Sequence, residues 1–257
     1  METETTVIAR AHARAALYYY LSALFVYPDA TTWRMLQEFS AEDWQRVFSI
    51  LHWSANGCAR LQDRLHAITQ EQFLAEHLAI FGHTAAGELR PYEAGYGTNH
   101  VFQETHCLAD VAGFYRAFGL EPCEAKRERP DHIAVELEFM HALALKEAYA
   151  LAHDWGEKAD ICREAQTGFL RDHLGRWAPS FLKSLAERTR GGTFEMIADA
   201  AAACIKAHCH GAGIEAGEND LEPVAMSEPE GSNFPCMAGN MAEPAGIAGI
   251  NLREEAE

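Results

Sequence analysis

The chain has 257 residues with 38 acidic and 21 basic side chains, a net charge of −17 at pH 7. That excess argues against a nucleic-acid partner, since phosphate backbones are gripped by lysine and arginine. With 48% apolar residues, including 13 Phe, 8 Tyr and 5 Trp, it can bury a large core, which excludes disorder of the whole. The charge divides unevenly: residues 1–210 hold 28 acidic and 20 basic side chains, whereas 211–257 hold 10 acidic residues and Arg253 alone. The last segment also carries seven Gly and four Pro and has no apolar run long enough for a core helix. A single domain is therefore expected over 1–210, followed by an acidic, largely disordered and flexible tail over 211–257.

Apolar residues recur at three- and four-residue spacing almost throughout, and no long stretch alternates at period two. The pattern predicts an all-α bundle of about eight to ten helices. In chain order the expected helices are 7–27, 31–39, 42–54, 58–81, 99–119, one beginning at Pro130, then 157–174, 177–189 and 193–209. The first could be mistaken for an export signal, because Arg10, His12 and Arg14 precede the apolar stretch Ala15–Tyr27. Glu2, Glu4, the triplet Tyr18-Tyr19-Tyr20 and the Pro28-Asp29 step all favour an ordinary core helix. No run is long enough to span a bilayer, so membrane insertion is not expected. The helix beginning at Pro130 has an apolar stripe of Ile133, Leu137, Met140, Ala144, Ala148 and Leu151, with Glu136, Lys146 and Glu147 off it. Pro130 suits a first helical position and Asp131 suits the first turn, where the helix dipole favours a carboxylate.

Two connections are long, Gly82–Thr98 and Gly119–Arg129, and ordered loops of that length in a helical domain tend to carry function. The first combines glycines with Phe81, Pro91, Tyr92, Glu93 and Tyr96. This composition suits a wall that grips a peptide through apolar contact and charge, or a surface loop whose rings cover the core. Asp131 and His132 form a second cluster, with Glu136 one turn on. In that pair the Asp raises the imidazole's basicity, giving a group that changes charge near neutral pH, unless the cluster only stabilises a helix start. A third cluster, Cys204, His208, Cys209 and His210 with Cys236 further on, is either a soft-metal site of no standard spacing or a helix end with reduced thiols. Seven cysteines (Cys58, Cys107, Cys123, Cys162, Cys204, Cys209, Cys236) are an odd number scattered through helical patterns, which suits reduced thiols in the cytoplasm. No P-loop, G-x-S-x-G, dinucleotide or H-E-x-x-H motif is present, so no enzyme, cofactor or resident metal is expected.

Four segments in order, Leu17–Asp29, Phe81–Tyr96, Glu128–Met140 and Asp172–Phe181, resemble the TorD/DmsD/NarJ family of molybdoenzyme-maturation chaperones. The likeness spans about residues 10–205 and leaves the tail unexplained. It implies a cytoplasmic, all-helical, non-catalytic chaperone, a monomer or homodimer. Such a chaperone binds the twin-arginine leader peptide of one apo molybdopterin oxidoreductase and assists its folding until the cofactor is in place. The alternative within the family is a NarJ-like role on a membrane-anchored enzyme that is not exported. By resemblance and by residue chemistry together, the peptide-binding set is Phe81, Pro91, Tyr92, Glu93, Tyr96, Asp131, His132 and Glu136. Family members often have Pro-Trp where this chain has Pro91-Tyr92. The tail either solubilises or folds over the groove through Phe234, Met237 and Met241.

Overall fold

Residues two apart on a helix face nearly opposite sides, and the tyrosine triplet uses this to join two parts of the bundle. The computed structural model describes residues 4–54, 57–82, 89–97, 103–122, 128–217, 221 and 250–252. In α1 (Glu4–Phe25), Tyr18 and Tyr20 are buried and Tyr19 is exposed. Tyr20 donates to Gln62 Oε1 at 2.6 Å on α4 (Cys58–Ala67), while Tyr18 Oη lies 2.7 Å from His208 Nδ1 on α10 (Thr193–Gly211). The first helix is thus a core element, packed along α7 (Ile133–Ala152).

Ten α-helical segments are present among the described residues, and side-chain caps set several boundaries. Asp29 caps α2 (Ala30–Glu38) by accepting the Thr32 N–H at 2.7 Å, and Ser40 and Asp43 form a reciprocal box at the start of α3 (Ala41–Leu51). The helix expected over 58–81 is in fact two. Thr69 and Gln72 form a second capping box, which stops α4 at Ala67 and starts α5 (Gln70–Phe81). The opposite holds further on. The two helices expected to break near 175 are continuous: α8 (Gly156–Phe169) passes through one π turn, Leu170–Leu174, into α9 (Gly175–Arg188). The remaining long helix, α6 (Gln103–Ala117), precedes a short strand.

The central helix α7 begins at Ile133 rather than Pro130, with His132 as its N-cap. It is also buried around most of its circumference, Glu136, Glu138 and Glu147 included, so the stripe read from the sequence is too narrow. Glu147 is tolerated there because Arg14 (2.6 Å), Arg163 (3.1 Å) and Gln166 (2.7 Å) all point at its carboxylate.

Packing continues past residue 210. Proline has no N–H, so Pro179 in α9 leaves the Gly175 carbonyl without its helical donor, and the Gly217 N–H takes that place at 3.1 Å. The Leu221 N–H adds a bond to Ser180 Oγ at 3.1 Å, and Ile214, Ala216 and Leu221 lie against the core. Residues Ile250–Leu252 (β2) pair antiparallel with Leu120–Pro122 (β1), a ribbon too short to register as a period-two pattern. Phe234, Cys236, Met237 and Met241 lie outside the described residues.

The π turn brings chain segments too close for a side chain at Gly175. An added Cβ would collide with the Leu170 carbonyl oxygen and sit 2.8 Å from Cys209 Sγ, whereas one at Gly113, inside α6, meets nothing within 4 Å. Gly175→Ala is expected to cost about 1–3 kcal/mol in urea unfolding, and Gly113→Ala to gain up to about 1 kcal/mol.

Candidate functional site

The long loop after α5 returns to the bundle as a strand-like partner for the residues before α7. The Pro91 carbonyl accepts the Ile133 N–H at 2.9 Å, and the Glu93 N–H donates to the Asp131 carbonyl at 2.9 Å, which forms an isolated antiparallel bridge between Tyr92 and His132. This bridge explains why α7 starts late. Pro130 and Asp131 form a turn closed by the His132 N–H on the Arg129 carbonyl at 3.1 Å, His132 pairs with Tyr92, and the first helical turn opens only where His132 Nδ1 accepts the Ala134 N–H at 3.1 Å.

Asp131 is fully buried and ties the joint together. Its Oδ1 takes the Arg129 Nε–H and its Oδ2 the Arg129 Nη2–H, both at 2.9 Å, while Oδ2 also accepts the Ala94 N–H at 3.2 Å. Arg129 reaches Glu104 on α6 at 2.7 Å and lies over the Tyr92 ring, 4.8 Å from its centroid. Tyr92 donates to Glu128 at 3.1 Å and meets His132 edge-on at 5.2 Å. Burial pushes the Tyr92 hydroxyl's pKa up, helped by Glu128.

A second buried network lies behind this joint. Trp177 Nε1–H donates to the Glu136 carboxyl at 3.0 and 3.2 Å. Burial, with Glu93 beside it, holds the Glu136 pKa well above the usual carboxylate range. Glu93 in turn faces His173 Nδ1 at 3.0 and 3.2 Å. The network opens on a cavity of about 420 Å³, lined by Glu93, Ala94 and Tyr96 from the loop, Cys107 and Asp110 from α6, and Asp172, His173 and Arg176 from the π turn and α9.

The structure thus separates the eight residues expected to bind peptide. Pro91, Asp131, His132 and Glu136 are buried, and they hold the loop, the α7 start and Trp177 in register. Glu93 and Tyr96 are also mostly buried yet line the cavity, and Tyr92 is half-buried. Phe81 packs with His77 and Phe194, at ring-centroid distances of 5.1 and 5.6 Å. The expectation that Asp131 makes His132 titrate near neutrality fails. Burial outweighs the carboxylate and drops the imidazole pKa to about 3. Residues 83–88 of the loop lie outside the described set. Asp110 and His173 are not legible as a pair in the sequence, because they come from different helices and meet only through the bundle.

The Cys/His cluster at the end of α10 is used in packing. Cys204 is buried in the core, and His208 lies 2.7 Å from Tyr18 Oη with its ring tilted against Trp53 at 5.6 Å. Among the described residues no group of three or more His, Cys, Asp or Glu side chains is placed to hold a metal ion. Likewise, no helix there is long and apolar enough to cross a membrane.

Comparison with known proteins gives the family. The family model described as nitrate reductase delta subunit matches residues 54–183. A chlorate reductase assembly chaperone from Ideonella dechloratans is 30% identical over 188 residues, covering 70% of this chain and 80% of the relative. A selenate reductase assembly chaperone from Thauera selenatis is 32% identical over 187 residues with the same coverage. A chaperone protein TorD from Vibrio cholerae is 25% identical over 206 residues, covering 77% and 90%. The chain belongs to the TorD/NarJ family of assembly chaperones, whose members are not catalysts. The cavity and the joint both fall within the matched region.

The buried groups set the pH profile. His132 and His208, at about 3, and His77, at about 4, sit below the ordinary 6.5 because burial disfavours their charged forms. Their contribution to stability is present above pH 6.5 and is lost as pH falls toward those values. Glu136, raised above 4.5, contributes below pH 4.5 and loses that contribution as pH rises through its folded pKa. Chemical denaturation across pH should therefore show stability falling on the acid side of 6.5. Glu136→Gln, which mimics the protonated acid, should gain on the wild type as pH rises and leave the acid limb unchanged.

Proposed function

We propose that the protein binds the N-terminal leader segment of a partner molybdenum-cofactor oxidoreductase in the cytoplasm and holds that enzyme until its cofactor is inserted. The observation that carries this reading is the union, within the region matched by the family model, of an aromatic loop fixed to the α7 start with an acidic cavity. A buried joint of this kind keeps the loop from collapsing, so its half-exposed edge and the cavity mouth form a preorganised surface. Tyr92, Glu93 and Tyr96 offer ring area and a carboxylate to a segment that is apolar in one part and basic in another. Asp131, His132 and Glu136 act by holding that surface in place.

Release is part of the task. An affinity in the micromolar range, about −8 kcal/mol, suits a partner that must later depart. The protein's net charge of −17 further favours a basic segment through attraction that salt screens. The alternative within the family is a NarJ-like role, in which the partner's start lacks a twin-arginine motif and the enzyme is not exported. The start of the partner's sequence separates the two.

Titration of the full chain with the partner's leader peptide should give saturable binding that weakens several-fold between low and physiological salt. Tyr92→Ala should weaken binding about tenfold and, because the ring also packs on Arg129 and His132, cost about 1–2 kcal/mol of stability. Asp131→Ala should instead cost about 1–3 kcal/mol of folding stability, because it leaves the Ala94 N–H and Arg129 without a buried acceptor. Absence of saturable binding to any such leader would contradict the reading.

A further inference from the structure

We propose that the cavity beside the loop receives the guanidinium group of an arginine side chain in the partner's segment. This rests on the peptide-binding reading above and assigns one chemical group to one place. The site is built around His173, whose side chain is only 4% exposed. Its Nδ1 faces the Glu93 carboxylate, and its Nε2 has no hydrogen-bond partner among the described residues, with Asp110 Oδ2 3.8 Å away. A carboxylate at Glu93 takes the Nδ1–H, and in the neutral ring this leaves the lone pair on Nε2. The buried atom aimed toward Asp110 is therefore an acceptor in need of a donor.

The surrounding wall asks for the same kind of ligand. Glu93, Asp110 and Asp172 contribute three carboxylates, against one guanidinium on Arg176, which is exposed. Arg171 engages Asp172 from outside the cavity lining, at 2.8 Å to Oδ1 and 2.5 Å to Oδ2, and this leaves Asp110, 75% exposed, as the open acid at the rim. An anion would meet three like charges and a lone pair. An apolar group would leave Nε2 buried without a donor. A planar cation with several N–H groups can donate to Nε2 and to Asp110 together, bridging a gap too long for those two to bond directly.

The test uses the full chain and two probes. N-acetyl-arginine amide, followed by the ¹⁵N resonance of His173 Nε2, should give saturable shifts that N-acetyl-norleucine amide does not. Asp110→Asn, at an exposed position, should weaken those shifts several-fold. With the leader peptide, replacing its arginines by norleucine should weaken binding about tenfold, and in Asp110→Asn the same replacement should cost much less. The inference is overturned if arginine amide leaves His173 unmoved, if inorganic phosphate moves it instead, or if the leader binds equally well with and without its arginines. That last outcome leaves peptide binding standing. A leader that does not bind at all removes the peptide reading, and arginine amide then decides whether the guanidinium site exists.

Discussion

One fully buried carboxylate organises this protein. Asp131 has no access to solvent, so its charge has to be met by protein donors, and three are supplied: two from Arg129 and one from the Ala94 amide. Because Ala94 lies in the long loop and Arg129 extends to Glu104 on α6, satisfying this one group fixes three pieces of chain against one another. The backbone pairing of Pro91 and Glu93 with Ile133 and Asp131 then completes a short bridge that a free loop of this length would not make.

That constraint imposes a division of labour. The side chains that look most chemical in the sequence, Asp131, His132 and Glu136, are occupied in holding the framework. The groups left at the surface are the half-buried Tyr92 ring and the cavity walls. Burial disfavours charge on both His132 and Glu136, lowering the pKa of the first and raising that of the second. Three carboxylates, Glu93, Asp110 and Asp172, line the cavity.

The sequence reveals the fold class through its helical periodicity and reveals the loop through its length and its glycines. It is less informative where tertiary contacts override local preference. Pro130 and Asp131 carry strong helix-start chemistry, yet they are taken up in a turn that the loop braces through the Tyr92–His132 bridge, and the start moves to Ile133. Glu136 and Glu147 read as solvated positions because a charge is normally excluded from a core, and only the partners Trp177, Arg14, Arg163 and Gln166 make their burial tolerable. His173 and Asp110 lie more than sixty positions apart in sequence, so no local pattern could pair them. By contrast, the Thr69–Gln72 capping box is a legible local signal, masked by apolar periodicity that runs on through 58–81 as if it were one long helix.

In this account the partner's leader sits on the surface made by the loop, α6 and the π turn. Hydrogen–deuterium exchange of the full chain, with and without that peptide, tests this placement most directly. Slower exchange confined to residues 89–96, 103–110 and 170–176 is the predicted result. Protection elsewhere, such as at the exposed Tyr149 and Trp155 rings at the α7–α8 corner, with no change in those three segments, would contradict it.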